Sequence, residues 1–77
     1  MRVKVRLFAS LREEVGLKET EVEMEAGATA NNLWRKIVRD KDMPADVMTA
    51  VNLNYAGPDT RLNDGDEVAF FPPVTGG

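Results

Sequence analysis

Two runs of alternating charge constrain this chain more than any other feature. In the first, Arg2, Lys4 and Arg6 alternate with Val3, Val5 and Leu7. In the second, Glu19, Glu21, Glu23 and Glu25 alternate with Thr20, Val22 and Met24. A period of two means a strand with one buried face. Each run is unfavourable alone, because like charges line up on one side. Laid antiparallel, the two satisfy each other, and Arg2 is expected opposite Glu25, Lys4 opposite Glu23 and Arg6 opposite Glu21. The same register sets Val3 against Met24 and Val5 against Val22 on the buried side. Exposed pairs of this kind contribute at most about 1 kcal/mol each, so their main effect is to select the pairing.

The rest of the chain supplies one amphipathic helix and more strands. Ser10 with Glu13 three residues later reads as a capping box, Leu11 and Val15 share a face, and Gly16 suits a left-handed stop. A short helical turn is expected there. Ala30, Leu33, Trp34, Ile37 and Val38 form a full helical stripe after an N-cap at Thr29, which puts Trp34 in the core. The helix is expected to fail around Lys41-Asp42-Met43, because Pro44 disfavours helical geometry before it. Residues 47–55 read as a third strand. Gly57-Pro58-Asp59 and Asn63-Asp64-Gly65-Asp66 read as turns. The second has the wrong spacing and no distal Glu for a calcium loop. Glu67 to Phe71 is the last strand, with Val68 and Phe70 on one face, and Pro72-Pro73 ends pairing. Strand, strand, helix, strand, strand is the β-grasp order: an α+β fold with one main helix across a mixed sheet. Its first and last strands lie parallel in the middle. The reading gives one domain over residues 1–71 and an extended, flexible tail over 72–77.

Composition narrows the chemistry. The 77 residues include no Cys and no His. That removes the thiol and imidazole nucleophiles and bases and the usual zinc ligands, so no metal site is expected. A net charge of −3, with the basic residues spread out or matched by nearby acids, argues against nucleic acid. No apolar run nears the ~20 residues of a membrane span, and the cytoplasm is the expected compartment.

The tail Phe71-Pro72-Pro73-Val74-Thr75-Gly76-Gly77 is physically unusual. Two prolines stiffen its root and two glycines strip side chains from its tip. Six extended residues reach roughly 20 Å. Such an arm suits placing a carboxylate, that of Gly77, in a narrow channel of another protein. Strand parity adds a patch. Phe8 shares its face with Arg2, Lys4 and Arg6, and Phe71 faces away from Val68 and Phe70. If the first and last strands are neighbours, two exposed phenylalanines lie together at the root of the tail, with Tyr55 expected beside them. Exposed aromatics grouped in this way point to a partner.

The stretches Leu7-Phe8-Ala9-Ser10-Leu11-Arg12-Glu13, Ala50-Val51-Asn52, Asp64-Gly65-Asp66-Glu67-Val68 and Phe71 to Gly77 resemble the small-subunit family of molybdopterin synthase, ubiquitin-like sulfur carriers. Asn31-Asn32 and Leu53 depart from that family's pattern. The resemblance implies that Gly77 is the carrier position. An adenylyltransferase similar to ubiquitin-activating enzymes would use ATP to adenylate it, and a thiocarboxylate would follow. Pro72, Pro73, Val74, Thr75 and Gly76 would thread the partner, and Phe8, Tyr55 and Phe71 would form the docking patch. The implied partner is the synthase large subunit, in a heterotetramer of two small and two large subunits. The thiocarboxylate would give its sulfur to a pterin precursor. The chain would bind no cofactor and would be no enzyme alone. A sulfur carrier for thiamine synthesis or tRNA thiolation and a ubiquitin-like protein modifier share the same terminal chemistry and remain alternatives.

Overall fold

In the computed structural model, which describes residues 1–39 and 41–72, the elements are β1 (Arg2–Leu7), α1 (Ser10–Val15), β2 (Glu19–Glu23), α2 (Ala30–Ile37), β3 (Met48–Val51), β4 (Asn54–Ala56) and β5 (Glu67–Phe71). The sheet has five strands in the order β2-β1-β5-β3-β4. β1 and β5 are parallel at its centre, and the other pairs are antiparallel. This is the expected β-grasp arrangement. No helix among the described residues is long and apolar enough to cross a membrane.

Alternation decides which side is core. Val3, Val5, Leu7, Val68 and Phe70 are all buried to 2% exposure or less. Leu33 and Trp34 of α2 pack into the same cluster with Leu11 and Leu62. The Trp34 ring meets Phe70 edge-on at 5.1 Å between centroids, a favoured aromatic geometry. Each large side chain buried in this way contributes roughly 1.5–3 kcal/mol. Thr29 caps α2 as expected. Its hydroxyl accepts from the Asn32 N–H at 3.2 Å, and the Asn32 side chain accepts from the Thr29 N–H at 2.9 Å. Asn32 thus completes a capping box normally closed by Glu or Gln.

Four expectations need correction. First, Arg2 lies opposite Glu23, Lys4 opposite Glu21 and Arg6 opposite Glu19, with Val3 facing Val22 and Val5 facing Thr20. The register is two residues from the expected one. A two-residue slip keeps every face and matches the charges equally well, so alternation cannot distinguish the two. The connection decides: the Leu7 N–H already donates to Lys18 O at 2.9 Å. Second, Ser10 is not a cap. Ala9, at φ 51°, precedes α1 without a side-chain cap, while Gly16 takes the left-handed stop as expected, at φ 81°. Third, α2 stops at Ile37, and Arg39 takes φ 50°. The chain turns early because the segment after the helix folds back along it. Asn31 accepts from the Met43 N–H at 3.0 Å, and Arg35 donates to Asp42 at 2.8 Å. Hydrogen bonds from Asn31 and Arg35, with the Arg35 charge, hold the Asp42 carboxyl below its ordinary range.

Fourth, residues 47–55 are a hairpin rather than one strand. β3 and β4 pair from Thr49↔Ala56 to Val51↔Asn54 across a two-residue turn. Asn52 and Leu53 take φ 50° and 71° there, as the tight hairpin turn matched to strand twist demands. Asn52 locks the turn to the start of β5. Its amide donates to Asp66 Oδ1 at 2.8 Å, and its oxygen accepts from the Glu67 N–H at 2.9 Å. Asp66, only 8% exposed, also accepts from the Asn63 N–H at 2.7 Å. Replacing Asn52 by Ala removes both side-chain bonds and places a Cβ-bearing residue without local compensation at positive φ. A loss of about 2–3 kcal/mol is expected in urea unfolding. A loss below about 0.5 kcal/mol would show that the turn is held by its backbone alone.

Candidate functional site

The helix covers one side of the sheet and leaves the other open. On that open side the ends of β1 and β5 meet. The Phe8 N–H donates to Phe70 O at 3.2 Å, extending the parallel ladder one residue past β1. Phe71, next along β5, faces away from the core. The two rings stack with centroids 4.9 Å apart and planes 13° from parallel. Sequence parity anticipated the pairing but put both rings in solvent. They are half-buried instead, because each covers a face of the other, a contact worth about 0.5–1.5 kcal/mol beyond its area.

Tyr55 joins the same side. It pairs with Ala50, which pairs with Ala69 of β5, so the three side chains share a face. Small Ala50 and Ala69 form the floor of a shallow groove of about 210 Å³. Phe8 and Phe71 stand at one end, Leu53 of the turn lines the groove toward the Glu67 end, and Tyr55 borders Ala50 at the side. Tyr55 is 78% exposed and Leu53 94%. Pro72 follows β5 directly and is in no strand. Pro73, Val74, Thr75, Gly76 and Gly77 lie outside the described residues.

Around this apolar strip the face is charged and internally neutralised. Arg6 lies 3.5 Å from Glu67 and 3.8 Å from Glu19. Lys4 also reaches Glu19 at 3.8 Å, and Arg2 reaches Glu23 at 3.2 Å. These half-exposed pairs add little stability singly. Their arrangement leaves the aromatic strip as the one apolar feature of that side of β1 and β5 among the described residues. A larger hollow, about 430 Å³, lies between the 24–28 turn and α2. It is the weaker candidate: it is wide open, holds no aromatic side chain, and its Lys36 already donates to Glu23 O at 2.6 Å. Among the described residues, no group of three or more Asp, Glu, His or Cys could hold a metal ion.

Sequence reasoning noted Leu53 only as a departure from the family pattern and did not place it at the site. Reading 47–55 as one strand hid the turn, because its second residue is not the Gly that usually marks one. Asn52 was the available signal, since Asn tolerates positive φ.

Comparison with known proteins fits this arrangement. The ThiS family matches residues 5–77. The molybdopterin synthase sulfur carrier subunit of Escherichia coli is 39% identical, over 97% of this chain and 99% of that protein. Among solved structures, SAMP1, a small archaeal modifier protein, from Haloferax volcanii superposes with a TM-score of 0.84 at 26% identity, covering both chains completely. The protein complex of subunits 1 and 2 of the molybdopterin-converting factor from Helicobacter pylori contains a chain with a TM-score of 0.65 at 26% identity, again over both full lengths. On this end-to-end similarity, the chain belongs to the ThiS family, among relatives that include molybdopterin synthase sulfur carrier subunits.

Proposed function

We propose that this chain is the sulfur carrier subunit of a molybdopterin synthase, with the Gly77 carboxylate as the group that carries sulfur. The observation that carries the reading is the stacked Phe8–Phe71 pair, an apolar platform where the last strand hands over to Pro72. Its support in relatives is the end-to-end likeness to a named sulfur carrier subunit. In this reading Pro72, Pro73, Val74, Thr75 and Gly76 are the residues that would thread the partner and bring Gly77 to its site.

The chemistry follows from what a carboxylate lacks, namely a leaving group. A Gly77 oxygen attacks the α-phosphate of ATP on a partner adenylyltransferase, and pyrophosphate departs. Sulfur then attacks the acyl carbon, and AMP leaves with the C–O electrons. If the donor is a persulfide, a thiol supplies the two electrons that split the resulting acyl disulfide. The product thiocarboxylate is soft and ionised at neutral pH. It attacks a carbon of the pterin precursor and displaces an oxygen leaving group there, and water then cleaves the resulting thioester, leaving sulfur on the pterin and restoring the carboxylate. ATP and pterin are bound by partners, and this chain holds no cofactor and no catalytic side chain. The partner for the second half is a synthase large subunit, a reading supported by the two-subunit complex of the Helicobacter pylori relative. Two small and two large subunits would assemble, and the cytoplasm is the compartment this reading takes for them.

A second reading is favoured by one observation, the close superposition on SAMP1. A ubiquitin-like modifier uses the same adenylate but passes its acyl group to lysine amines as AMP leaves, which gives a ladder of conjugates on a denaturing gel. A carrier for another thiolation pathway would load sulfur in the same way and differ only in its acceptor.

Incubation with the adenylyltransferase, ATP and a sulfur donor is expected to replace one oxygen by sulfur at Gly77, read by intact-mass and terminal-peptide spectrometry. Sulfur on an internal residue, or none under competent conditions, would remove the carrier reading.

The docking patch has its own test. Phe8→Asp and Phe71→Asp each break the stack and put a charge on the platform. Each should cost about 1–2 kcal/mol of stability yet leave a folded protein, checked by circular dichroism and melting. Each should weaken binding to the adenylyltransferase and the large subunit by 2 kcal/mol or so, as for a central anchor. The two partners should compete, since one tail root serves both. Normal binding by both folded variants would put the docking face elsewhere.

A further inference from the structure

Leu53 sits where a leucine is unfavourable twice over. Its φ of 71° belongs to the left-handed region, which costs a residue with a branched side chain about 1–2 kcal/mol. Its side chain is 94% exposed, so folding recovers almost none of that cost through burial. The second position of such a turn is ordinarily Gly. Strain kept together with an exposed apolar side chain is a mark of use rather than of stability.

Its position says what that use is. The turn docks against the first residue of β5, through the Asn52 N–H to Glu67 O at 2.8 Å. Phe71 is the last residue of the same strand. Four residue steps of strand therefore separate the two ends of the groove, about 13 Å. The Arg6–Glu67 pair neutralises the stretch between them, so both ends present apolar groups to whatever lies above. Residues 73–77 span no more than about 17 Å when extended. A body that takes their far end must therefore lie against the Phe71 end of the face. A standard interface covers about 800 Å² per partner, close to 28 Å on a side. The body that covers Phe71 is thus large enough to cover Leu53 too.

We propose that Leu53 is the far anchor of the docking face, seated in an apolar recess of the large subunit that receives residues 73–77. This rests on the sulfur-carrier reading above and adds a contact to it. Tyr55, 78% exposed beside the turn, flanks the anchor. The strained turn holds Leu53 up from the sheet with no backbone ordering left to do on binding, since its backbone conformation is set before the partner arrives.

The test uses the full chain and the large subunit. Leu53→Gly and Leu53→Asn both suit positive φ and both remove the apolar side chain. Leu53→Gly is expected to raise Tm by about 2–6 °C, and Leu53→Asn by less. Both are expected to bind the large subunit about tenfold more weakly in calorimetric titration. A gain in stability with a loss of binding is the signature of a strained contact residue. Wild-type affinity in both variants overturns the inference, and so does a lower Tm in both, which would show Leu53 to be structural. Loss of self-association in the variants, with large-subunit binding intact, would assign the residue to a second copy and overturn it as well. Phe71→Asp separates the two levels. If it loses binding while the Leu53 variants keep theirs, only the Leu53 anchor falls. If wild type does not bind the large subunit at all, the carrier reading falls first.

Discussion

The parallel pairing of β1 with β5 is the contact on which the rest of this structure depends. It joins the first strand to the last, with Val5 beside Val68 and Leu7 beside Phe70, and all four are buried to 2% exposure or less. Parallel strands cannot be joined by a tight turn, so everything between them must form one long crossover. That crossover contains α2, which returns to cover the inner side of the same two strands through Leu33 and Trp34. The hairpin β1–β2 and the pair β3–β4 then fill the flanks. On the outer side, the same pairing puts Phe8 and Phe71 in contact.

A sheet with one helical layer has an uncovered side, and its composition decides what the molecule can meet. Here most of that side is closed by ion pairs that neutralise one another across β2, β1 and β5. Such a surface stays in water and gives an indifferent partner little to hold. The aromatic strip is the exception. It begins where the chain leaves the sheet and runs along a floor of alanines toward the β3–β4 turn. On the docking role proposed above, specificity and protection against unselective association would come from one arrangement of residues on a single face.

How much of this was legible in the sequence depended on the kind of information each feature needs. Alternation in β1 and the helical stripe of α2 are local periodicities, and they identified the inner residues and the fold. Parity along β1 and β5 was enough to bring Phe8 and Phe71 together. Register was harder, because Glu19, Glu21 and Glu23 are interchangeable partners for a row of cations and the deciding bond lies at Leu7 and Lys18. The end of α2 was set by side chains reaching Asp42 and Met43 rather than by Pro44. The β3–β4 turn was invisible because Leu53 breaks the residue preference of the conformation it adopts. Local rules failed mainly at places where a distant contact overrides them, and at Leu53.

One consequence of the strand order is mechanical. β5 carries residues 72–77, and it lies between β1 and β3 rather than at an edge. A pull on the C-terminal end of β5 along its own axis therefore acts on a strand bonded on both sides. The ladders with β1 and β3 share the load in shear, and all their bonds must yield nearly together before the strand slides. An edge strand would peel from one end, one bond at a time. A body that grips the segment and draws it inward, or releases it again, applies force where this fold is best braced against it.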